Sequence, residues 1–146
     1  MRRIGLLCLF TTLFVPRVIY SQTSVPASNF QNIGTISQLM GQIIYPTSND
    51  IFYIARNPPQ TDYEWSLIGR SALTLAESGN LLMLPGRARD EDKWIKDSKL
   101  LVDVGAAAYK AAQAKDLDAV LALNDQLNTA CVTCHQDYRP RRRLPN

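Results

Sequence analysis

The chain has 146 residues, of which 46% are hydrophobic and 20% charged, and its formal net charge is +3. This length predicts one domain. Arg2, Arg3 and Arg17 lie in a segment that we expect to be removed, which leaves 13 basic against 13 acidic residues. A neutral mature chain lacks the positive field that phosphate binding requires, and this excludes a nucleic-acid-binding function.

The N-terminus has the pattern of an export signal. Basic residues at Arg2 and Arg3 precede a nearly unbroken apolar run from Ile4 to Val15, and small or polar residues follow around Ser21. The run is shorter than the roughly 20 residues that span a bilayer. Residues 1–21 are therefore predicted to be a cleaved signal peptide, with a retained N-terminal anchor as the alternative. We expect no other membrane association.

The first helix is predicted after a polar, flexible arm at residues 22–32. Its apolar stripe recurs at helical spacing and comprises Ile33, Ile36, Met40, Ile43 and Ile44. Pro46 is expected to break or kink this helix, and Ser48 or Asn49 to cap a continuation. The segment Asn57-Pro58-Pro59 is expected to end it.

Two further helices are predicted in the middle of the chain. The second begins at Thr61, because Glu64 completes a capping box, and is expected to stop at Ser78-Gly79-Asn80. The third opens in the acidic cluster Asp90-Glu91-Asp92, which suits the positive end of a helix. The small residues at 105–108 favour either close approach of a helix or flat ligand, or simply high helix propensity. The predicted inner residues of the two helices are Trp65, Ile68, Ala72, Leu75, Trp94, Ile95, Leu101, Val102, Ala108 and Ala112.

A fourth helix is predicted from Asp116 to Arg139, where Pro140 ends it. Its apolar seam comprises Val120, Leu123, Leu127, Ala130 and Cys134. Four amphipathic helices with short connections predict an all-α, antiparallel four-helix bundle over residues 33–139. The basic residues at 140–146 form a tail that either docks an acidic redox partner or anionic lipid, or only solubilises the chain.

The last helix carries the sequence Cys131-Val132-Thr133-Cys134-His135, which is the attachment signal for c-type haem. The Cys131 and Cys134 thiols can add to the haem vinyl groups, and His135, the one histidine of the chain, can bind the iron as proximal ligand. Bacterial haem c is attached outside the cytoplasm, so the export signal supports this interpretation. The sequence predicts a periplasmic protein with one covalent haem c near its C-terminal helix.

Other interpretations of the two cysteines are weaker. A thioredoxin-like redox pair is expected near a βαβ pattern, and no such pattern occurs in the sequence. A structural zinc site needs four ligands, and the remaining cysteine, Cys8, lies in the predicted signal peptide. A structural disulfide between Cys131 and Cys134 would close almost no loop.

The chain resembles the cytochrome c prime family and its low-spin relatives of the cytochrome c-556 type. The segment 131–139 matches that family's C-x-x-C-H-x-x-Y-R ending, and the export signal and four helices agree with it. The resemblance implies a distal position over the iron on the first helix, where Met40 is the candidate ligand and Met83 the weaker alternative. A family arginine for the haem propionates is missing near Gln38, which leaves Arg56, Arg70 or Arg139 for this role.

The leading functional hypothesis is a one-electron carrier that cycles between Fe(II) and Fe(III) and serves redox partner proteins. It is not expected to be an enzyme, because no Ser/His/Asp arrangement is present and the single histidine is committed to iron. The first alternative is a protein that binds nitric oxide or carbon monoxide at an open distal site. The second is a haem-free thiol–disulfide protein. The resemblance also implies that a homodimer can form through the first two helices. Arg139 lies one helical turn after His135, where it can contact the haem edge.

Overall fold

A computed structural model of the chain describes residues 29–139. The predicted signal peptide at 1–21 and the basic tail at 140–146 lie outside these residues. Between residues 29 and 139 the chain is all-helical, without a strand, and its four helices are compatible with a helical bundle. None of the helices in this part of the chain is both long and apolar enough to cross a membrane.

The N-terminal helix is continuous over residues 36–52 but is built from three segments. These are α1 (Ile36–Leu39), a π-helical turn (Met40–Ile44) and α2 (Tyr45–Phe52). The Thr35 side chain accepts a hydrogen bond from the Gln38 N–H, and the Gln38 side chain accepts one from the Thr35 N–H at 2.9 Å. Because this capping box fixes the start, Ile33 lies outside the helix and is 85% exposed, contrary to the predicted stripe.

Pro46 does not break this helix, contrary to the expectation from the sequence. The helix passes through Pro46 directly after the π-helical turn and ends at Phe52, before a 3-10 turn at Ile54–Arg56. The buried residues of the first two turns are Leu39 and Ile44, five positions apart. Two residues five positions apart share one face of a helix only where a π turn lies between them. A pattern with the period of a regular α-helix therefore does not include Leu39.

The helix α3 (Asp62–Leu82) begins with the predicted capping box between Thr61 and Glu64. It continues through Ser78-Gly79-Asn80, so the predicted stop is wrong. Ser78 is fully buried, and its hydroxyl donates a hydrogen bond to the Leu75 carbonyl at 2.6 Å, so this polar side chain is satisfied within the helix. Gly79 is buried beside Ser98 and Val102 of the next helix, where a side chain would not fit.

The helix α4 (Lys93–Gln113) makes the most extensive helix contact of the fold, along α3. The two run antiparallel: Lys115 pairs with Asp62 at 2.7 Å at one end, and Trp94 donates to the Leu82 carbonyl at 2.8 Å at the other. A Cβ at Gly105 would lie 2.6 Å from the Ala76 nitrogen. Gly105 therefore serves close helix approach and Ala108 is buried, whereas Ala106 and Ala107 are exposed.

The predicted fourth helix is two helices, α5 (Leu117–Leu121) and α6 (Asn124–Tyr138). Asp116 caps the first of them, since its carboxylate accepts from the Ala119 N–H at 2.9 Å. The predicted seam is buried at Val120, Leu127, Ala130 and Cys134, while Leu123 at the break is half-buried. The helix α6 lies along α4 and carries the cysteines and the histidine near its C-terminal end.

Candidate functional site

A cavity of about 720 Å³, here called the main cavity, opens between the N-terminal helix and the end of α6. This volume is within the roughly 300–1,000 Å³ that small-molecule and cofactor sites occupy. The end of α6 lines it with Cys131, Cys134, His135, Tyr138 and Arg139. The N-terminal helix lines it with Ile36, Met40, Gly41, Ile44, Ser48 and Phe52. The main cavity thus brings together both predicted thiols, the histidine and the candidate methionine.

The helical backbone of α6 places the two cysteines and the histidine. Cys131 and His135 are four residues apart and so project from one face of the helix, with Cys134 beside them. Both thiols are free, and Cys134 is buried, whereas Cys131 is half-buried. The Arg139 N–H donates to the His135 carbonyl at 3.3 Å and closes the last turn of the helix. The arrangement presents two reduced sulfurs and an imidazole to one cavity.

Burial raises the pKa of both thiols. For Cys131 burial is the cause, and for Cys134 burial together with the nearby Asp97 and Asp137 carboxylates raises the pKa to about 11. A reactive redox cysteine requires the opposite, because the thiolate is the nucleophile and a lowered pKa produces it. These thiols are therefore poorly suited to thiol–disulfide exchange at neutral pH.

His135 is half-buried at the wall of the main cavity. Burial, and secondarily the positive charge of Arg139, lowers the pKa of its imidazole below the usual value. A histidine binds metal through a neutral ring nitrogen, so this environment favours the form that can act as a ligand.

Met40 lines the main cavity from the N-terminal helix. Its side chain is half-buried and contacts the apolar core. The neighbouring Gly41 also lines the main cavity, and apart from its chain neighbours and the adjacent helix backbone no atom lies within 4 Å of where its Cβ would be. Met83, the weaker candidate, ends α3 and is not part of the cavity wall.

Two arginines line the main cavity, Arg139 from the end of α6 and Arg89 from the loop before α4. Sequence reasoning missed Arg89, because only the fold brings this loop to the cavity. Arg56 lies over the ring of Tyr53, a cavity residue, at 4.0 Å from its centre, whereas Arg70 lines clefts elsewhere. The structure thus favours Arg89 and Arg139 over Arg70 as charges for an anionic group.

Behind the main cavity lies a small side chamber of about 40 Å³, which Asp97 and Ser98 line together with Cys134 and His135. Asp97 is 3% exposed and Ser98 is 2% exposed. The Asp97 Oδ2 and the Ser98 Oγ have no hydrogen-bond partner among the described residues. Sequence reasoning missed both residues, since they are polar positions between the apolar residues of α4 and match no motif.

The residues present fit a covalent haem. The main cavity offers two free thiols, an imidazole, the thioether of Met40 and two arginines that would hold the propionates. Elsewhere in the described chain, as at this site, no three His, Cys, Asp or Glu side chains group as a metal-ion site. A haem iron takes most of its ligands from the porphyrin and needs only axial ligands from the protein. Comparison of the chain with protein-family models, curated proteins and solved structures found no match.

Proposed function

We propose that this protein is a periplasmic one-electron carrier with a single covalent haem c. Cys131 and Cys134 form the thioether links, His135 is the proximal iron ligand and Met40 the distal one. The observation that carries the proposal is that all four side chains line one cavity of about 720 Å³. The proposal also includes membership of the cytochrome c prime family, with a low-spin member of the c-556 type as the nearest functional counterpart.

When bound, the haem supplies one-electron transfer between Fe(II) and Fe(III). The chain's own residues hold and shield it. The His135 pKa is lowered by burial, which keeps its imidazole neutral for ligation. Ile36, Ile44 and Phe52 contribute apolar side chains to the cavity wall. Arg89 and Arg139 contribute positive charge, which also favours contact with an acidic redox partner at the cavity mouth.

The test begins with attachment. The full chain is produced in a bacterial host with a c-type maturation system, and the secreted protein is analysed by mass spectrometry and optical spectroscopy. We expect a cleaved chain that carries the mass of one haem and has no titratable thiol. The C131S/C134S double variant is expected to lose the covalent haem. A colourless, thiol-bearing wild-type protein would refute the proposal.

A second candidate function is the binding of nitric oxide or carbon monoxide. The open space beside Gly41, next to the proposed distal ligand, is the observation that favours it. The ferrous spectrum distinguishes the two functions. Sharp low-spin bands that carbon monoxide leaves unchanged support electron transfer, whereas a high-spin spectrum that shifts with carbon monoxide supports gas binding.

The third hypothesis, a haem-free thiol–disulfide protein, receives no support from the thiol environment. Burial raises the pKa of both cysteines, that of Cys134 to about 11, which suppresses the thiolate that exchange requires. The same mass and thiol measurements test this hypothesis directly.

A further inference from the structure

The π-helical turn at Met40–Ile44 lies immediately before Pro46. Within it the Tyr45 N–H donates to the Met40 carbonyl, five residues back, in place of the carbonyl of Gly41. Proline lacks an N–H, and in a regular α-helix its ring clashes with the carbonyl four residues earlier. A wider π turn relieves that clash, so Pro46 and the π turn belong together.

The hydroxyls of Thr47 and Ser48 donate to backbone carbonyls of the turn that follows the π-helical segment. The Thr47 hydroxyl donates to the Ile43 carbonyl at 2.7 Å and approaches the Ile44 carbonyl at 3.2 Å. The Ser48 hydroxyl donates to the Tyr45 carbonyl at 2.9 Å. Thr47 is half-buried and Ser48 is buried, and these bonds satisfy both hydroxyls within the helix.

The π turn decides which residues line the main cavity. One lining row consists of Ile36, Met40, Ile44, Ser48 and Phe52, at intervals of four. A second row beside it has the same spacing and consists of Ser37, Gly41, Tyr45, Asn49 and Tyr53. In an unbroken α-helix, residues four positions apart differ in direction by about 40° around the helix axis. Ile36 and Phe52 would then point in directions about 160° apart. The one extra residue of a π turn offsets about 100° of that drift. The first row therefore stays on one side of the helix.

We propose that Pro46 is a positioning residue that imposes the π turn and thereby directs Met40 into the main cavity. This inference rests on the proposed function, in which Met40 is the distal ligand. The C-terminal half of the helix is fixed to the fold, because Ile51 is 1% exposed and Asp50 accepts a hydrogen bond from Ser71 of α3 at 2.6 Å. If the π turn became α-helical, the N-terminal half, which carries Met40, would rotate.

The experiment compares haem-bearing wild type, Pro46→Ala and Met40→Ala by optical spectroscopy. Alanine in place of Pro46 supplies the missing N–H and permits an α-helical turn, which turns Met40 by about 100° away from the cavity. Pro46→Ala is expected to change the low-spin spectrum to a high-spin one that responds to carbon monoxide, as Met40→Ala does. Pro85→Ala, in the exposed loop before α4, is the matched control and is expected to leave the spectrum unchanged.

A rescue variant separates positioning from general damage. Deletion of Gly41 in the Pro46→Ala background removes one residue between Met40 and the rest of the helix. This turns Met40 back by about 100° around the helix axis, so the low-spin spectrum is expected to return. Retention of the wild-type spectrum by Pro46→Ala, or failure of the deletion to restore it, would overturn the proposal. So would a wild-type protein that carries haem and is already high-spin.

A crystal structure of each protein supplies a test that does not depend on haem. The Tyr45 N–H is expected to donate to the Met40 carbonyl in wild type and to the Gly41 carbonyl in Pro46→Ala. If the π turn persists without Pro46, the proposal is wrong even where the proposed function holds. If the turn changes as expected but wild type carries no haem, the positioning role of Pro46 stands as a property of the helix and the proposed function fails separately.

Discussion

The hydroxyl of Tyr138, at the end of α6, donates a hydrogen bond to the Asp90 carboxylate in the loop before α4. Two further contacts join the same elements. Lys93 pairs with Asp137 at 2.7 Å, and the rings of Trp94 and Tyr138 meet edge-to-face with centres 4.9 Å apart. The segment that carries His135 is therefore fastened to α4 on the side where the main cavity opens.

Tyr138→Phe is expected to lower thermal stability, because it removes the hydroxyl while the ring against Trp94 remains. The hydrogen bond lowers the pKa of Asp90 and raises that of Tyr138. The lowered Asp90 pKa stabilises the fold above the ordinary carboxyl value of 3.8, and this contribution is lost as pH falls through the folded-state pKa. The raised Tyr138 pKa stabilises it below the ordinary value of 10.0, and this is lost as pH rises through the folded-state pKa.

The difference in melting temperature between wild type and Tyr138→Phe is therefore expected to be greatest between about pH 4 and pH 10. It should shrink on both sides of that window, as thermal unfolding monitored by circular dichroism can measure. Tyr63→Phe is the control, because Tyr63 is 71% exposed on α3. A difference that is constant across pH would show that the hydrogen bond to Asp90 does not contribute.

Met40→Ala is expected to convert a low-spin haem protein into a high-spin one that binds carbon monoxide. If the proposed haem is bound, the methyl group of alanine would not reach the iron, and the distal position would be left open. Loss of the thioether is also expected to lower the reduction potential, because methionine ligation raises it. Optical spectra with and without carbon monoxide, and an equilibrium redox titration, measure both effects.

Met83→Ala provides the comparison for this substitution. Met83 ends α3 away from the cavity wall, so its loss is expected to leave spin state and potential unchanged. If Met83→Ala rather than Met40→Ala changed the spectrum, the assignment of the distal ligand would be wrong.

The haem signal could be predicted from the sequence because all of its residues lie within α6, where spacing alone fixes the face. The capping box of Thr61 and Glu64 was predictable for the same reason, since both partners belong to one turn. Met40 was placed on the first helix by resemblance, and the structure brings it to the same cavity as His135. Local patterns thus predicted the motif on α6 and the start of α3, whereas Met40 came from the resemblance.

What the sequence did not predict depends on contacts between distant segments. Ser78 and Gly79 have the composition of a helix end, yet close contact with α4 keeps the helix intact. Leu39 was missed because a π turn changes the period of the buried face. Arg89 and Asp97 had no local pattern at all, since only the packing of α4 against α6 brings them to the site.

Asp97→Asn is expected to raise the reduction potential. Asp97 lies in the side chamber next to Cys134, and its carboxylate is among the charges that raise the pKa of that thiol. A buried negative charge close to the site favours the more positive, oxidised form, and a neutral amide of the same shape removes that preference. Asp103→Asn, an exposed position on the same helix, is the control for an equilibrium redox titration. An unchanged or lowered potential for Asp97→Asn would contradict the argument.

Replacement of two buried glycines in the α3–α4 contact by alanine is expected to affect the stability of the protein differently at the two positions. At Gly105 a Cβ would lie 2.6 Å from the nitrogen and 2.7 Å from the Cα of Ala76, and these backbone atoms cannot move aside locally. Gly105→Ala is therefore expected to lower the free energy of unfolding by about 1–3 kcal/mol, as overpacking does. At Gly69 the nearest atoms belong to the Tyr109 ring, at 3.7 Å, which is an ordinary contact distance. Gly69→Ala is expected to be neutral or to stabilise by about 0.5–1 kcal/mol through helix propensity.

Denaturant unfolding of the two variants under identical conditions measures this contrast. Both substitutions add the same methyl group to a buried position of a long helix, so helix propensity favours both and only the approach of the facing helix differs. Equal stability changes would mean that α3 and α4 can separate at Gly105 at little cost. A destabilised Gly105→Ala beside an unaffected Gly69→Ala would show that the contact at Ala76 fixes the distance between these helices. The same contact would also fix the place of α4 beside α6, the helix that carries Cys131, Cys134 and His135.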